Sequence, residues 1–415
     1  METVQRIEPA RIEDVPARLA DKVADISAAA ATLGARLHPR TAANLAQMVR
    51  IMNTYYSNLI EGHQTRPRDI EQALNVGTAW PRYPDEPPGS MQIESALSAA
   101  DVSMRDLLVE AVAHVRVQEK IDLQNASGKL PEPASEHYIL WLHKSFYQGA
   151  SSNMLRIGEG DKSYLMQPGV WRERDQQDVA VGRHHPPASS RVADFMIYFS
   201  ERYSFESMGS SSRILAMAAS HHRFNYIHPF PDGNGRVSRL MSHAMAHKAG
   251  IGAHGLWSVS RGLARGLESR GDYKRMLDHA DSPRQGDLDG RGNLSLKSLL
   301  HFSDWFLSVC LDQITFMTDL MQIDTLAMRF ANYVALHDNL KPEANRLLQE
   351  ALVRGEFSRG EISRITGLPE RSARRVLKDV VDEGLLASET PNGPVSLRFP
   401  AKAHDILFPR LFLQT

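Results

Sequence analysis

The sequence contains a single cysteine, Cys310, among its 415 residues. One cysteine cannot form a disulfide within the chain, and a zinc site built from thiolates is not expected. Cys310 lies in the apolar run WFLSVCL, so we expect its thiol to be a small buried group in the core.

The sequence also lacks long apolar runs and an excess of charge of either sign. No stretch approaches the roughly 20 consecutive apolar residues that a membrane span needs. The first residues, METVQRIEPARIEDVP, carry acids and prolines where a signal peptide would be apolar. We therefore expect a cytoplasmic protein without membrane contact. Lys and Arg total 48 against 49 Asp and Glu, which argues against coating of nucleic acid by bulk charge but permits a local basic patch.

Two common catalytic motifs are missing. There is no GxxxxGK[ST] string, so a P-loop NTPase is not supported, and no GxSxG serine elbow. The histidines His184, His185, His221, His222 and His228 match no common zinc spacing, and no cysteine accompanies them. We therefore expect no transition-metal site among these five residues.

Hydrophobic residues make up 42% of the chain, which excludes dominant disorder. At about 150 residues per domain, the length predicts two to four domains. Helical spacing of apolar residues predicts a mainly α fold, with Gly62 as a helix stop. The runs 164–166 and 179–181 predict a β-hairpin. The expected division is an N-terminal helical region at 1–130, a catalytic region at 131–335 and a small C-terminal domain at 336–415. Helices are expected within 12–75, at 93–123, 135–147, 192–203 and 212–226, to about 249, and at 299–333, with loops at 78–90 and 124–134.

The most informative segment is HPFPDGNGRVSR, residues 228–239. Pro229 disfavours a helical conformation at His228, so the preceding helix should end there. Gly233 and Gly235 permit close approach of a ligand to the backbone. The next helix begins near Gly235, and its free N–H groups and positive dipole end form an anion site suited to phosphate.

Charged side chains complete this site. Arg236 and Arg239 lie three residues apart on one side of the helix, where both can donate to phosphate oxygens. Asp232 is a lone carboxylate beside the phosphates, a pattern typical of Mg²⁺ binding. His228 has the ordinary pKa nearest neutrality and is the natural general base.

The whole string matches HPFx[D/E]GNGRxxR, the motif of the Fic family, at every defined position, and the sequence resembles that family over most of residues 12–320. The resemblance implies a helical core that transfers AMP from ATP, with Mg²⁺, to a protein hydroxyl. It implies that His228 accepts the proton and Asp232 holds Mg²⁺. The α- and β-phosphates are expected at the backbone of Gly233, Asn234 and Gly235, and the β- and γ-phosphates at Arg236 and Arg239. Phe230 is expected to face the core and anchor the loop.

Two further elements resemble Fic proteins. The hairpin residues Val179, Ala180, Val181 and Gly182 resemble the flap that aligns the target segment and covers the nucleotide. Tyr273 lies where the family often places an aromatic residue in the adenine pocket, and an ordinary core or surface tyrosine is an equally good interpretation.

The segment SNLIEG, residues 57–62, fits the family's inhibitory pattern [S/T]xxxE[G/N]. On this interpretation Ser57, Glu61 and Gly62 end an inhibitory helix, and the Glu61 carboxylate occupies Arg239, which should bind the γ-phosphate. Glu61→Gly should then raise activity. In some Fic proteins this glutamate also supports removal of AMP, and the sequence does not decide that point.

Residues 357–381 predict a helix-turn-helix, and the strands expected near 385–387 and 395–399 would add the wing of a winged helix. One face of the second helix is basic, which fits either DNA phosphates or a protein-interaction and dimerisation surface. Its cations are Arg371, Arg374, Arg375 and Lys378.

The sequence therefore predicts a self-inhibited protein adenylyltransferase that binds ATP and Mg²⁺. Its protein target is unknown, and self-modification and homodimer formation are open. One alternative is a DNA-binding regulator with a nucleotide-sensing Fic domain. Another is a Fic enzyme that mainly removes AMP or uses a different nucleotide donor.

Overall fold

Helices dominate the fold, as the spacing of apolar residues predicts. The computed structural model describes residues 2–76, 102–180, 182 and 184–412. The helices of the N-terminal part are α1 (Ala17–Ala35), α2 (Pro39–Ile60), α3 (Pro67–Val76), α4 (Val102–Ala126), α5 (Glu136–Phe146), α6 (Val192–Tyr203), α7 (Ser210–Ile227) and α8 (Asn234–Lys248). They are followed by α9 (Val259–Arg265), α10 (Asp272–Ala280), α11 (Leu296–Leu320), α12 (Ile323–Ala335), α13 (Ala344–Arg354), α14 (Ile362–Thr366), α15 (Glu370–Asp382) and α16 (His404–Leu407).

The strands are short and form two small antiparallel sheets. In the first sheet, β1 (Arg156–Ile157) pairs with β2 (Tyr164–Leu165). The second sheet has the order β3-β5-β4, from β3 (Glu356–Phe357), β5 (Val395–Leu397) and β4 (Leu386–Ala387).

The predicted hairpin is wrong in its pairing. Residues 164–165 form a strand as expected, but their partner is β1 and not the segment at 179–181. Gly158 adopts a positive φ of 81° directly after β1, where the chain turns into the connection to β2. Val179 and Ala180 form no strand, and Val181 lies outside the described residues. The side chain of Arg172 in the expected turn is buried and donates to the carbonyls of Ile227 and His228 at the end of α7.

Several helix predictions are confirmed. α6 has the predicted bounds, and the Ser135 side chain accepts a hydrogen bond from the Tyr138 N–H at the start of α5. Gly62 has a φ of 88° just after α2, as expected of a helix stop. The expected helix at 299–333 is two helices, because the chain leaves helical geometry at Gln322, where ψ is 129°. The expected loop at 78–90 and residues 93–101 lie outside the described residues.

The chain forms two compact units. The first comprises Met1–Ala28, Asn53–Gly252 and Ser258–Gln313. The centre of this unit is α7, along which residues 214–224 are all buried, and which packs against α8. Cys310 is fully buried with a free thiol, as predicted. No helix among the described residues is long and apolar enough to span a membrane.

The second unit comprises Ala29–Met52, Ala253–Trp257 and Ile314–Thr415. It contains α14 and α15, joined through Gly367 in the left-handed conformation, and the sheet β3-β5-β4. Ser358 and Glu361 form the capping box before α14. The side chains of α15 that were expected in the core are buried, namely Ala373, Val376, Leu377 and Val380. The order of these elements agrees with the expected helix-turn-helix and hairpin. The winged-helix assignment and the three-domain division stay predictions.

Candidate nucleotide site

His228 ends α7 in the left-handed conformation, with φ 51° and ψ 61°. Non-glycine residues seldom adopt this conformation, so neighbouring contacts must hold it. The buried Arg172 guanidinium provides them, because its Nε donates to the His228 carbonyl at 2.7 Å and its Nη2 to the Ile227 carbonyl at 3.0 Å. The Arg172 N–H also donates to the Pro229 carbonyl at 3.0 Å. Arg172 therefore positions the loop, a role that the sequence pattern did not indicate.

The loop after His228 is fixed by the contacts of Phe230 and Asn234. Phe230 is fully buried, as predicted, and stacks on His143 with ring centroids 3.8 Å apart. The Asn234 side chain accepts a hydrogen bond from the Phe230 N–H at 2.9 Å and donates to the Phe230 carbonyl at 2.7 Å. Gly233 has a φ of 81°, and a Cβ there would lie 2.9 Å from the Tyr147 ring, so only glycine fits this turn.

Arg236 lies in a buried network at the start of α8. Its Nη1 lies 2.6 Å from Glu110 Oε2, and its Nη2 lies 2.9 Å from Asp232 Oδ2. The Tyr147 hydroxyl donates to the same Asp232 oxygen at 2.6 Å. Burial raises the pKa of Asp232, but the Arg236 charge and the Tyr147 hydrogen bond outweigh it and lower that pKa below 3.8. The Asp232 carboxylate is therefore ionised at neutral pH.

Glu110 was not predicted. Its side chain is 11% exposed, and burial raises its pKa above 4.5 although Arg236 opposes the shift. In the sequence, Glu110 is recognisable only as an acidic residue in the apolar part of α4. That position does not indicate which basic residue it contacts.

Glu61 and Ser57 both contact Arg239. Glu61 Oε1 accepts a hydrogen bond from Arg239 Nη2 at 2.6 Å, and Ser57 Oγ accepts one from Nε at 3.0 Å. The Arg239 side chain is only 1% exposed. Burial raises the pKa of Glu61, but the charges of Arg239 and Arg236 outweigh it and keep that pKa below 4.5. The structure thus brings together the residues of the predicted inhibitory pattern and the second arginine of the phosphate loop.

A cavity of about 660 Å³ opens beside these groups. Six predicted site residues line it, namely Glu61, Gly182, His228, Gly235, Arg239 and Tyr273. Tyr273 is 5% exposed, and its hydroxyl lies 2.8 Å from His221 Nε2. It therefore forms part of the packed core and also of the cavity wall. Val179 and Ala180 are not among the lining residues.

His228 is held neutral at the cavity wall. Burial lowers its pKa most, and the charge of Arg172 and the nearby His184 lower it further, to about 4. A neutral imidazole can accept a proton at pH 7. His184 and His222 both contact Asp281 on the same wall. His184 Nδ1 lies 3.3 Å from Asp281 Oδ2, and His222 Nε2 lies 3.0 Å from Asp281 Oδ1.

Residues 133–246 match the model of the Fic/DOC family. These residues form a Fic domain. The chain is 36% identical over 75 residues to the protein adenylyltransferase Fic of Drosophila mojavensis, a match that covers 18% of this chain and 15% of that protein. It is 38% identical over 72 residues to the protein adenylyltransferase Fic of Drosophila grimshawi, again 15% of that protein. The match thus spans about 15% of the length of these relatives.

Two solved structures resemble parts of the chain. A Fic family protein from Desulfovibrio desulfuricans G20 has 16% identity and a TM-score of 0.49, over 92% of this chain and 96% of that one. A Fic domain containing signaling protein from Bacteroides thetaiotaomicron has 17% identity and a TM-score of 0.49, over 72% of this chain and 96% of that one.

Proposed function

We propose that the protein is a self-inhibited adenylyltransferase that transfers AMP from ATP to a hydroxyl side chain of a protein, either a target or the chain itself. The observation that carries the proposal is the contact of Glu61 with Arg239 on the wall of the cavity that also contains His228. In this proposal His228 is the base, Arg239 binds phosphate and the Glu61 carboxylate competes for Arg239, and all three residues line the same cavity.

In the proposed reaction, the target hydroxyl oxygen attacks the α-phosphorus of ATP. A new oxygen–phosphorus bond forms to the target, the bond to the β-phosphate oxygen breaks, and pyrophosphate leaves with the electron pair. His228, neutral at pH 7, takes the hydroxyl proton. Transfer of this kind depends mainly on positioning and charge neutralisation.

The start of α8 supplies the phosphate contacts. The N–H groups of Gly233, Asn234 and Gly235 lie at the positive end of the helix dipole and receive the α- and β-phosphates. Arg236 and Arg239 receive the β- and γ-phosphates. Asp232 is anionic with a side chain 44% exposed, so its oxygens fit Mg²⁺, which would neutralise phosphate charge at that carboxylate.

Inhibition follows from competition for one guanidinium. While Glu61 accepts from Arg239 Nη2, that donor is withheld from the γ-phosphate, and the carboxylate repels phosphate charge. A Cβ at Gly235 would lie 2.5 Å from Glu61 Oε1, so the carboxylate also lies directly against the phosphate loop. ATP then binds only in a pose that does not present the α-phosphorus for attack.

The segment at 179–182 is proposed to align the target. Ala180 is exposed and Gly182 lines the cavity, so a target strand could pair with this backbone in the manner of strand addition. The same site fits removal of AMP, or another nucleotide donor, if Glu61 orients a water or the base pocket prefers another base.

Label transfer from ATP with a radioactive α-phosphate tests the proposal. The wild type, Glu61→Gly and Glu61→Gly combined with His228→Ala are compared, alone and with cell lysate. Glu159→Gly, a change at an exposed turn, is the matched control. Label on protein in Glu61→Gly, little in the wild type and the control, and none in the double variant would support it. Absence of label in Glu61→Gly under all conditions would refute it.

A second candidate, DNA binding, is favoured by the exposed basic face of α15. Its cations are Arg371, Arg374, Arg375 and Lys378, all exposed. If all four contact phosphates, the logarithm of the affinity falls with the logarithm of the salt concentration with a slope of about −3.6. Fluorescence anisotropy of the quadruple alanine variant tests this. Within this face, Arg374 is ion-paired with Glu370 and Lys378 lies 4.0 Å from Asp382. Alanine at Arg354 and Arg364, which are ion-paired with Glu350 and Glu361 outside α15, is therefore a control of the same kind.

A further inference from the structure

Three side chains of types that can bind a metal ion lie close together between α4 and α8, away from the nucleotide site. His243 and His247 lie one turn apart on α8, and Asp122 lies on α4. The two imidazole Nε2 atoms are 2.8 Å and 2.9 Å from the same Asp122 Oδ1. Because α8 begins at Asn234, the two histidines lie about 14 to 20 Å along the helix from the phosphate loop.

We propose that Asp122, His243 and His247 form a binding site for a divalent transition metal, best matched by Zn²⁺. Two imidazoles and one carboxylate, with a fourth position for water, are a donor set that zinc accepts. Imidazole is a poor ligand for Mg²⁺ and Ca²⁺, which prefer oxygen. The site is therefore distinct in chemistry, as well as in place, from the Mg²⁺ position proposed at Asp232.

The distances agree with the metal-free form of such a site. The three ligand atoms lie within 4.8 Å of one another. A tetrahedral centre with bonds of about 2.1 Å separates its ligand atoms by roughly 3.4 Å. The two nitrogen–oxygen contacts would therefore lengthen by about 0.5 Å on binding. Small rotations of the side chains are sufficient for that change.

Burial holds these side chains in place, and two of them keep a small exposed fraction. The His247 side chain is 2% exposed, and those of His243 and Asp122 are each 10% exposed. A Cβ at Gly252 would lie 2.3 Å from His247 Nδ1, so the backbone after α8 lies against this ring and restricts it. Ligands that are already positioned bind an ion at a lower cost in entropy.

Metal binding here exchanges protons and involves no oxidation or reduction. In the metal-free form, Nε2–H groups of both imidazoles donate to the Asp122 carboxylate. In the metal-bound form, each Nε2 presents its lone pair to the ion, so its proton moves to Nδ1 or to solvent. A hydrogen-bonded triad that only neutralises Asp122 would have no such response to metal.

The test uses the untagged chain of 415 residues, freed of metal with a chelator and titrated with Zn²⁺ or Co²⁺ in the presence of excess Mg²⁺. We expect one equivalent bound, a higher melting temperature, and the strong visible absorption of Co²⁺ in a low-coordinate site. Asp122→Asn and His243→Gln should each weaken binding at least about tenfold. His137→Gln, at an exposed position on α5, and Asp232→Asn, at the nucleotide site, should leave it unchanged.

The proposal is wrong if the wild type binds well under one equivalent, or if Asp122→Asn and His243→Gln bind as tightly as the wild type. Circular dichroism shows whether each variant is folded. If a variant is not folded, the Co²⁺ spectrum of the wild type tests the proposal. A six-coordinate, solution-like spectrum rejects the site.

Discussion

Glu61 Oε1 lies 2.6 Å from Arg239 Nη2, and Ser57 Oγ accepts from Nε of the same guanidinium. One arginine on α8 is thus held by two residues separated by one helical turn. Hydrogen bonds to charged groups contribute about 1.5–3 kcal/mol. This contact is therefore strong enough to compete with a phosphate, and a change in one side chain can release it.

The first prediction concerns the charge of Glu61. We expect Glu61→Gly to raise label transfer at least about tenfold, the equivalent of about 1.4 kcal/mol. Glu61→Gln should give a smaller increase, because its amide oxygen can still accept from Arg239 without the charge. Initial rates at saturating ATP measure both. Equal rates for wild type, Glu61→Gln and Glu61→Gly would show that the contact does not inhibit.

The second prediction concerns the pH dependence of the rate. His228 has a pKa lowered to about 4, so the neutral base is present above that pH and is lost as pH falls through it. In the Glu61→Gly variant, kcat/KM should therefore be flat across pH 6.5, where an ordinary histidine would titrate. Circular dichroism at each pH confirms that the enzyme is folded. A rate that halves near pH 6.5 while the fold is intact would contradict this assignment.

The third prediction concerns Glu110. Glu110→Gln removes the charge that holds Arg236 Nη1 but keeps an acceptor, so the guanidinium should be less well placed for phosphate. In the Glu61→Gly background we expect KM for ATP to rise about threefold to tenfold, or about 0.7–1.4 kcal/mol, with a smaller effect on kcat. Steady-state kinetics separate the two constants. An unchanged KM would show that Glu110 serves the fold alone.

The site illustrates what a sequence can and cannot specify. The loop 228–239 was predictable because proline, glycine and a helix start fix the backbone locally. The inhibitory segment at 57–62 was recognised from the family's pattern, because Ser and Glu one helical turn apart are common. The contact of Glu61 with Arg239, by contrast, joins residues 178 positions apart. It was expected only from the resemblance to a known family.

Long-range partners explain the rest. Arg172 and Glu110 are buried charges whose role depends on what lies opposite them, and neither has a local pattern. The predicted hairpin was wrong because two apolar runs on either side of a turn do not specify which strand they pair with. His243 and His247 lie one helical turn apart and were not singled out from the sequence, because only Asp122, 121 residues before His243, makes them a cluster.

The last prediction concerns Arg172, whose side chain is 1% exposed and donates to the carbonyls of His228, Ile227 and Pro187. Arg172→Met keeps much of the volume but leaves these buried acceptors without donors, so we expect a loss of about 3–5 kcal/mol in the free energy of unfolding. Urea unfolding, followed with two probes because the chain has two units, measures it.

Arg174→Met, two residues away and exposed, is the control and should change stability by less than about 0.5 kcal/mol. His228 adopts a left-handed conformation that Arg172 supports. Label transfer by the Glu61→Gly variant should therefore also fall when Arg172→Met is added. This should hold without urea, at a temperature at which the protein stays folded. Loss of stability with full activity would show that Arg172 supports the fold but does not position the base.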